Sequence, residues 1–133
     1  MSLKPEELLD KDITSRVIHA AILVHKTLGP GFLESFYEEA LCIELSGSAI
    51  PFERQKRIQI NYNGHFIGEH RLDLLVASRV VVELKAIKDL EMIHFAVVRS
   101  YMKAVCVESG MLLNFGTMPL TVKRVGRERP GFS

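Results

Sequence analysis

The stretch that decides the fold is RLDLLVASRVVVELKA, residues 71–86, in which two strongly apolar runs contain charged residues. The first run carries Asp73, and the second carries Glu83 and Lys85. Runs of leucine and valine of this length are typical of strands buried in a sheet. An unpaired charge in a protein core costs several kcal/mol or more, so such groups survive there only when paired, hydrogen-bonded or metal-bound. The stretch therefore predicts two buried strands whose charged side chains act together.

Side chains alternate between the two faces of a strand, which fixes the neighbours of each charged group. Glu83 and Lys85 are predicted to share one face of the second strand. Arg71, Asp73 and Leu75 are predicted to share one face of the first strand. Whether the two carboxylates meet then depends on how the strands are paired.

The length of the turn between the strands determines this pairing. A three-residue turn at 77–79 places Asp73 directly opposite Glu83, whereas a two-residue turn sends the two acids to opposite faces. We expect the three-residue turn, because two carboxylates and an ammonium make chemical sense only together.

Two carboxylates directly opposite one another destabilise a sheet, so a positive charge must offset them. A hard divalent cation, Mg²⁺ or Mn²⁺, is the simplest candidate, because it prefers carboxylate and carbonyl oxygens as ligands. The alternative is an ion-pair network of Asp73, Glu83, Lys85 and Arg71 that has no catalytic role. Spacing alone leaves both interpretations open.

The remaining sequence predicts an α/β (α+β) domain with element order ααβββαββ. Helical periodicity indicates helices over about 13–28, 33–45 and 90–107. Period-two patterns predict a strand that ends at an Asn63-Gly64 turn, strands over 65–76 and 80–85, and two further strands in GMLLNFG and LTVKRV. A central mixed five-stranded sheet flanked by helices fits this order best.

Composition limits the class of protein without naming a function. The 133 residues are enough for a single domain, 1–133, in which we expect residues 1–12 and 126–133 to be flexible. Lysine and arginine number 17 against 16 acidic residues, so overall charge neither requires nor excludes a polyanionic partner. No apolar run approaches the ~18 residues that span a bilayer, and residues 1–12 do not resemble a signal peptide. Cys42 and Cys106 lie in apolar stretches without a CxxC spacing, which favours buried, reduced thiols and a cytoplasmic location. Whether the protein forms a homo-oligomer stays open.

Two sets of motifs resemble a known family. Asp73, followed about ten residues later by Glu83-x-Lys85, resembles the core motif of the PD-(D/E)XK, or restriction-endonuclease-like, nucleases. The segment LGPGFLESFYEEAL contains Gly31-x-x-Glu34-x-x-Tyr37, the signature of the GxxExxY family within that superfamily. RLDLLV, VVELKAI and LLNFG follow in the family's order, so the resemblance covers about residues 13–125.

The resemblance implies a Mg²⁺- or Mn²⁺-dependent nuclease that hydrolyses phosphodiester bonds of DNA or RNA. Asp73, Glu83, Glu34 and the backbone carbonyl of Leu84 would hold the metal. Lys85 would stabilise developing negative charge or orient the attacking water, and we favour the electrostatic role. Supporting positions are the residues Tyr37, Tyr101 and His94.

The same resemblance directs attention to basic residues near the acids and to one position at which this chain differs from the family pattern. Phosphate contacts are expected from Arg54, Lys56, Arg57 and Arg71. Many relatives carry a glutamine in the third helix where this chain has Val97, which cannot donate an amide hydrogen bond. Two alternatives therefore stay open: a nucleic-acid-binding module on a nuclease fold that cleaves weakly or not at all, and a structural or interaction protein.

Overall fold

The computed structural model describes residues 2–127 and contains three helices and five strands. The helices are α1 (Pro5–Leu28), α2 (Glu34–Gly47) and α3 (Met92–Ala104). The strands are β1 (Phe52–Tyr62), β2 (His65–Val76), β3 (Val80–Lys85), β4 (Ser109–Asn114) and β5 (Thr121–Gly126). The predicted order ααβββαββ is confirmed.

All five strands form one sheet in the order β1-β2-β3-β4-β5. β3 and β4 run parallel, joined through α3, and the other three neighbouring pairs are antiparallel. The sheet is therefore mixed and five-stranded, as predicted. The Asn63-Gly64 hairpin is also confirmed, because both residues adopt the positive φ angles that a tight two-residue turn requires, 48° and 78°.

The helices cover both faces of the sheet and create two apolar layers. α1 and α2 pack on one face, against Leu74, Val76 and the even-numbered residues of β3. α3 packs on the other face, where Val98 and Met102 contact Val81 and its neighbours. β3 and β4 are buried on both faces, which is why their sequences read as continuous apolar runs. In the described part of the chain, no helix combines the length and apolar character needed to cross a membrane.

Helix α1 begins eight residues earlier than predicted, at Pro5 instead of Ile13. Proline is favoured at a first helical position, and Glu6 and Glu7 complement the helix dipole in the first turn. Asp10 is buried, where it accepts hydrogen bonds from the Arg79 guanidinium and the Ser109 hydroxyl. Residues 5–12 are thus helical, and the expectation that they are flexible stays a prediction. The C-terminal segment expected to be flexible lies outside the described residues, except that Gly126 ends β5 and Arg127 follows it.

Three smaller expectations also need correction. α3 is shorter at both ends than the predicted 90–107, because Glu91 forms its N-cap and Val105 its C-cap. Cys42 is buried, but Cys106 is exposed in the turn after α3, where its φ is 58°. α2 covers Glu34–Gly47 instead of the predicted 33–45, and Leu33 forms its N-cap.

Strict alternation fails at two places in the β1–β2 pair, at Asp73 and at a register shift between Ile60 and Asn61. Leu74 and Val76 belong to the layer under α1 and α2, whereas Leu72 and Leu75 both belong to the layer under α3. The faces therefore exchange at Asp73. The cause is that β1 and β2 are both irregular at this point. Gln55 of β1 lies across from Asp73 of β2 and has a positive φ of 52°. The prediction that Arg71, Asp73 and Leu75 share one face is accordingly wrong.

Tyr37 fixes the loop that leads into α2. Gly29 and Gly31 of this loop have φ angles of 69° and 112°, which glycine adopts without strain. The Tyr37 hydroxyl donates a hydrogen bond to the Gly29 carbonyl at 2.6 Å and accepts one from the Phe32 N–H at 3.1 Å. Its buried ring stacks on Phe115, with 4.6 Å between ring centroids. Tyr37 thus holds the start of α2 against the core.

Removal of the Tyr37 hydroxyl should destabilise the fold. Tyr37→Phe leaves the Gly29 carbonyl and the Phe32 N–H without their partner, which costs about 1–2 kcal/mol of unfolding free energy. Urea unfolding measures this change. Tyr62→Phe, the same change at an exposed tyrosine, should alter stability by less than about 0.5 kcal/mol. Equal stability of the two variants would contradict the proposed clamp.

Candidate active site

The two acids lie where β2 and β3 separate. Backbone pairing between these strands runs through Val76 opposite Val80 to Leu74 opposite Val82. Beyond that point the Asp73 N–H donates to Glu83 Oε2 at 2.6 Å. The Leu84 N–H in turn donates to Asp73 Oδ2 at 2.9 Å. The three-residue turn is confirmed, and each carboxylate bonds the backbone of the opposite strand.

Burial and mutual repulsion disfavour the charged forms of these acids. Glu83 is only 6% exposed, and burial together with the negative charge of Asp73 raises the pKa of Glu83 to about 8. Burial also raises the pKa of Asp73, although the hydrogen bond from the Leu84 N–H opposes this shift. Ionisation of both acids would therefore place more negative charge there than their surroundings offset.

Glu34 and Lys85 complete the same electrostatic group. Glu34 is the first residue of α2 and is half-buried, and burial followed by the charge of Asp73 raises its pKa. The ammonium of Lys85, at the end of β3, lowers the pKa of Glu34, Asp73 and Glu83. Lys85 thus contributes positive charge beside all three carboxylates.

A polar network behind Asp73 could not be inferred from the sequence. The Gln55 amide donates to Glu38 Oε1 at 2.7 Å and to Asp73 Oδ1 at 3.3 Å. Glu38, which is only 6% exposed, also accepts a hydrogen bond from the Arg54 Nε at 2.7 Å. β1 and α2 therefore orient Asp73 from the side opposite β3. The sole signal in the sequence is polar residues at positions where α2 and β1 approach each other.

The predicted supporting residues have separate contacts. The buried Tyr101 hydroxyl is hydrogen-bonded to Nδ1 of His70 at 3.2 Å. Burial and then the charges of Glu83 and Asp73 raise the pKa of Tyr101, which places the phenol within electrostatic range of the acids. His94 instead caps α3, since its Nδ1 accepts a hydrogen bond from the Glu91 N–H at 2.8 Å.

The four predicted phosphate contacts do not form one cluster. Arg54 is ion-paired with acids of α2, and Lys56 lies 2.7 Å from the carboxylate of Glu53. Arg57 and Arg71 lie directly across from one another on β1 and β2, and both are exposed. The structure thus separates two residues in local ion pairs from two that face each other on the hairpin.

The donor set fits a hard divalent cation in kind. Two adjoining carboxylates carry excess negative charge, and the Leu84 carbonyl lies on the same strand edge as the Leu84 N–H that bonds Asp73. Within residues 2–127, however, no three His, Cys, Asp or Glu side chains converge closely enough to form a ready metal site. Asp73 and Glu83 each have one carboxylate oxygen bonded to a backbone N–H.

Comparison with known proteins assigns the fold to a family. The family model of the PD-(D/E)XK nuclease superfamily matches residues 11–125 of the chain. The chain belongs to this superfamily. Asp73, Glu83 and Lys85 stand in β2 and β3 of the nuclease core, and the mixed sheet is that of a restriction-endonuclease-like fold.

Two solved structures share the fold of this PD-(D/E)XK protein. SSO0001 is 20% identical with a TM-score of 0.58, over 71% of this chain and 50% of that one, so the chain spans about half the length of SSO0001. The alkaline exonuclease LHK-Exo from Laribacter hongkongensis is 12% identical with a TM-score of 0.52, over 86% of this chain and 70% of the exonuclease. No curated protein gives a significant sequence match.

The raised pKa of Glu83 makes stability depend on pH. The folded protein binds the Glu83 proton more tightly than the unfolded chain, in which the pKa is near 4.5. Stability should therefore be greatest below about pH 4.5 for this group and fall towards pH 8, by up to about 1.4 kcal/mol per pH unit. Urea unfolding without divalent cations, at several pH values, measures the slope.

Glu83→Gln should reduce this slope, because the amide does not titrate. The exposed Glu7→Gln provides the same chemical change away from the site and should keep the wild-type slope. Indistinguishable slopes for the wild-type protein and Glu83→Gln would contradict the account of the acid pair.

Proposed function

We propose that the protein is a nuclease that hydrolyses phosphodiester bonds of nucleic acid with Mg²⁺ or Mn²⁺ as cofactor. The observation that carries this proposal is the joining of Asp73 and Glu83 across β2 and β3, beside Lys85, in a chain of the PD-(D/E)XK superfamily. Membership in the GxxExxY family is part of the proposal. It rests on the positions of Gly31, Glu34 and Tyr37, since Tyr37 braces the loop that positions Glu34.

The carboxylates of Asp73 and Glu83 would hold the cation, with Glu34 and the Leu84 carbonyl as further oxygen ligands. When bound, the cation would polarise the phosphoryl oxygen and lower the pKa of a coordinated water. Gln55 would keep the Asp73 carboxylate in position through its amide. Movement of a carboxylate oxygen away from its backbone N–H would bring the ligands together.

Lys85 would act on the substrate as an electrostatic group. Its ammonium lies within electrostatic range of the three acids, and it would stabilise negative charge that develops on the phosphate oxygens. A protein donor of this kind typically contributes about 10²–10³ in rate. Glu34, Asp73 and Glu83 are acids, so none of them can fill this role.

A nucleic-acid-binding module with weak or no cleavage is the second candidate, and Val97 is the observation that favours it. Val97 packs against the apolar layer under α3, so this position offers no amide to the acids. The Gln55 amide reaches Asp73 from β1 instead. Cleavage is the first choice because Asp73, Glu83 and Lys85 are all present.

The proposal predicts cation-dependent cleavage that needs Glu83 and Lys85. Labelled single-stranded DNA, duplex DNA and RNA are incubated with Mg²⁺ or Mn²⁺, and product is resolved by gel electrophoresis. Glu83→Ala should remove detectable cleavage, and Lys85→Met should reduce the rate by about 10²–10³ because it loses the ammonium.

Asp12→Ala, which removes an exposed acid of α1, should keep the wild-type rate. Cleavage that survives in Glu83→Ala would defeat the proposed site. Binding without product from any of the three substrates would favour the binding module.

A further inference from the structure

The β1–β2 hairpin extends well beyond the rest of the sheet. β1 and β2 pair from Phe52 opposite Val76 to Tyr62 opposite His65. β3 pairs with β2 only over residues 74–76. Residues 56–72, here called the hairpin arm, therefore project as two strands past the point where Asp73 and Glu83 meet.

One face of the hairpin arm is covered by α3. Ile58, Ile60 and Leu72 pack in the layer that contains Val98 and Tyr101 of α3. His70 lies opposite Ile58 and bonds the Tyr101 hydroxyl. This face is thus occupied within the chain.

The other face is open, and it begins at Arg71, two residues along β2 from Asp73. Alternation along β1 turns Arg57, Gln59 and Asn61 away from α3. Their cross-strand partners on β2 are Arg71, Glu69 and Phe66, in that order, and all six residues are exposed. Phe66, at the far end, is 61% exposed.

The charges on the open face favour binding of an anionic partner. Arg57 and Arg71 face each other directly, an arrangement that destabilises an antiparallel pair. The only acid among the six residues is Glu69, whose carboxylate lies 4.0 Å from Arg57 Nε. A phosphate between the two guanidinium groups would remove their repulsion, because arginine binds phosphate with two parallel hydrogen bonds.

The open face also has the aromatic group that single strands require. Phe66 is five residues from Arg71 along β2, about 17 Å at ~3.4 Å per residue. Exposed aromatic side chains along a basic track stack on unpaired bases, whereas the bases of a duplex are already stacked on each other. Arg71 is two residues from Asp73 along β2, and the aromatic ring lies farther out on the arm.

We propose that the open face of the hairpin arm binds a single strand of nucleic acid, with Arg57 and Arg71 on phosphate and Phe66 stacked on a base. The proposal rests on the proposed function, because the strand would lead to Asp73 and Glu83. It makes single-stranded DNA or RNA, or an unpaired end, the preferred substrate over blunt duplex.

Binding without cleavage tests the arm separately from catalysis. Fluorescence anisotropy with EDTA present measures the affinity for a labelled single-stranded oligonucleotide and for the blunt duplex of the same sequence. Arg57→Ala/Arg71→Ala should weaken single-strand binding at least tenfold and reduce the slope of log K against log salt by about 1.4. Phe66→Ala should weaken it about tenfold, within the range for loss of one stacked base.

Two control variants change similar side chains outside the open face. Lys26→Ala removes an exposed cation in the last turn of α1, and Tyr62→Ala removes an aromatic residue at the tip that is 66% exposed. Each should change the affinity less than threefold. Melting temperatures within about 2 °C of the wild-type value would show that all variants are folded.

Each outcome supports or overturns the proposal. Unchanged single-strand affinity in both the double variant and Phe66→Ala overturns it, as does equal binding of blunt duplex. Loss of a dimer in Phe66→Ala, seen by light scattering, together with unchanged affinity would assign the face to a second copy of the chain. Arm-dependent binding with no cleavage supports the arm and refutes the nuclease, whereas Glu83-dependent cleavage with arm-independent binding refutes the arm alone.

Discussion

Where β2 and β3 separate, the carboxylates of Asp73 and Glu83 replace backbone carbonyls as hydrogen-bond acceptors. The Asp73 N–H bonds Glu83 and the Leu84 N–H bonds Asp73, so each acid is held by the strand that carries the other. The same bonds satisfy backbone donors that would otherwise lose their partners at the end of the ladder. The separation of the strands also frees the hairpin arm, whose open face begins at Arg71, two residues from Asp73. Fold and candidate site thus depend on one reciprocal contact.

This arrangement concentrates negative charge in a place that water reaches poorly. Glu83 and Asp73 repel each other, and Glu34 adds a third carboxylate from the start of α2. Lys85 offsets part of the charge, and a divalent cation would offset more. The pair is therefore easier to explain as a site for a positive ligand than as a source of stability. Tyr37, Gln55 and Glu38 support this site, because they fix the elements that carry the acids.

Much of this could be predicted from the sequence because it follows from local rules. The apolar runs, the Asn63-Gly64 turn and the three-residue turn determined the hairpin and the register that joins Asp73 to Glu83. A resemblance, not periodicity, directed attention to Glu34. Alternation failed at Asp73 because the irregular Gln55 of β1 lies across from it, and a strand read alone does not show its partner. The early start of α1 was missed for a similar reason, since Asp10 is anchored by Arg79 and Ser109, which are distant in sequence.

The most direct test of the central claim is to locate a bound cation by nuclear magnetic resonance. Mn²⁺ broadens the signals of nearby amides, so substoichiometric Mn²⁺ should first broaden those of Asp73 and Leu84. The amide of Asp10, a buried acid in a separate ion pair with Arg79, serves as an internal control and should stay sharp. Glu83→Gln should abolish the selective broadening. Unaffected signals from Asp73 and Leu84, with broadening confined to other acids, would contradict the account.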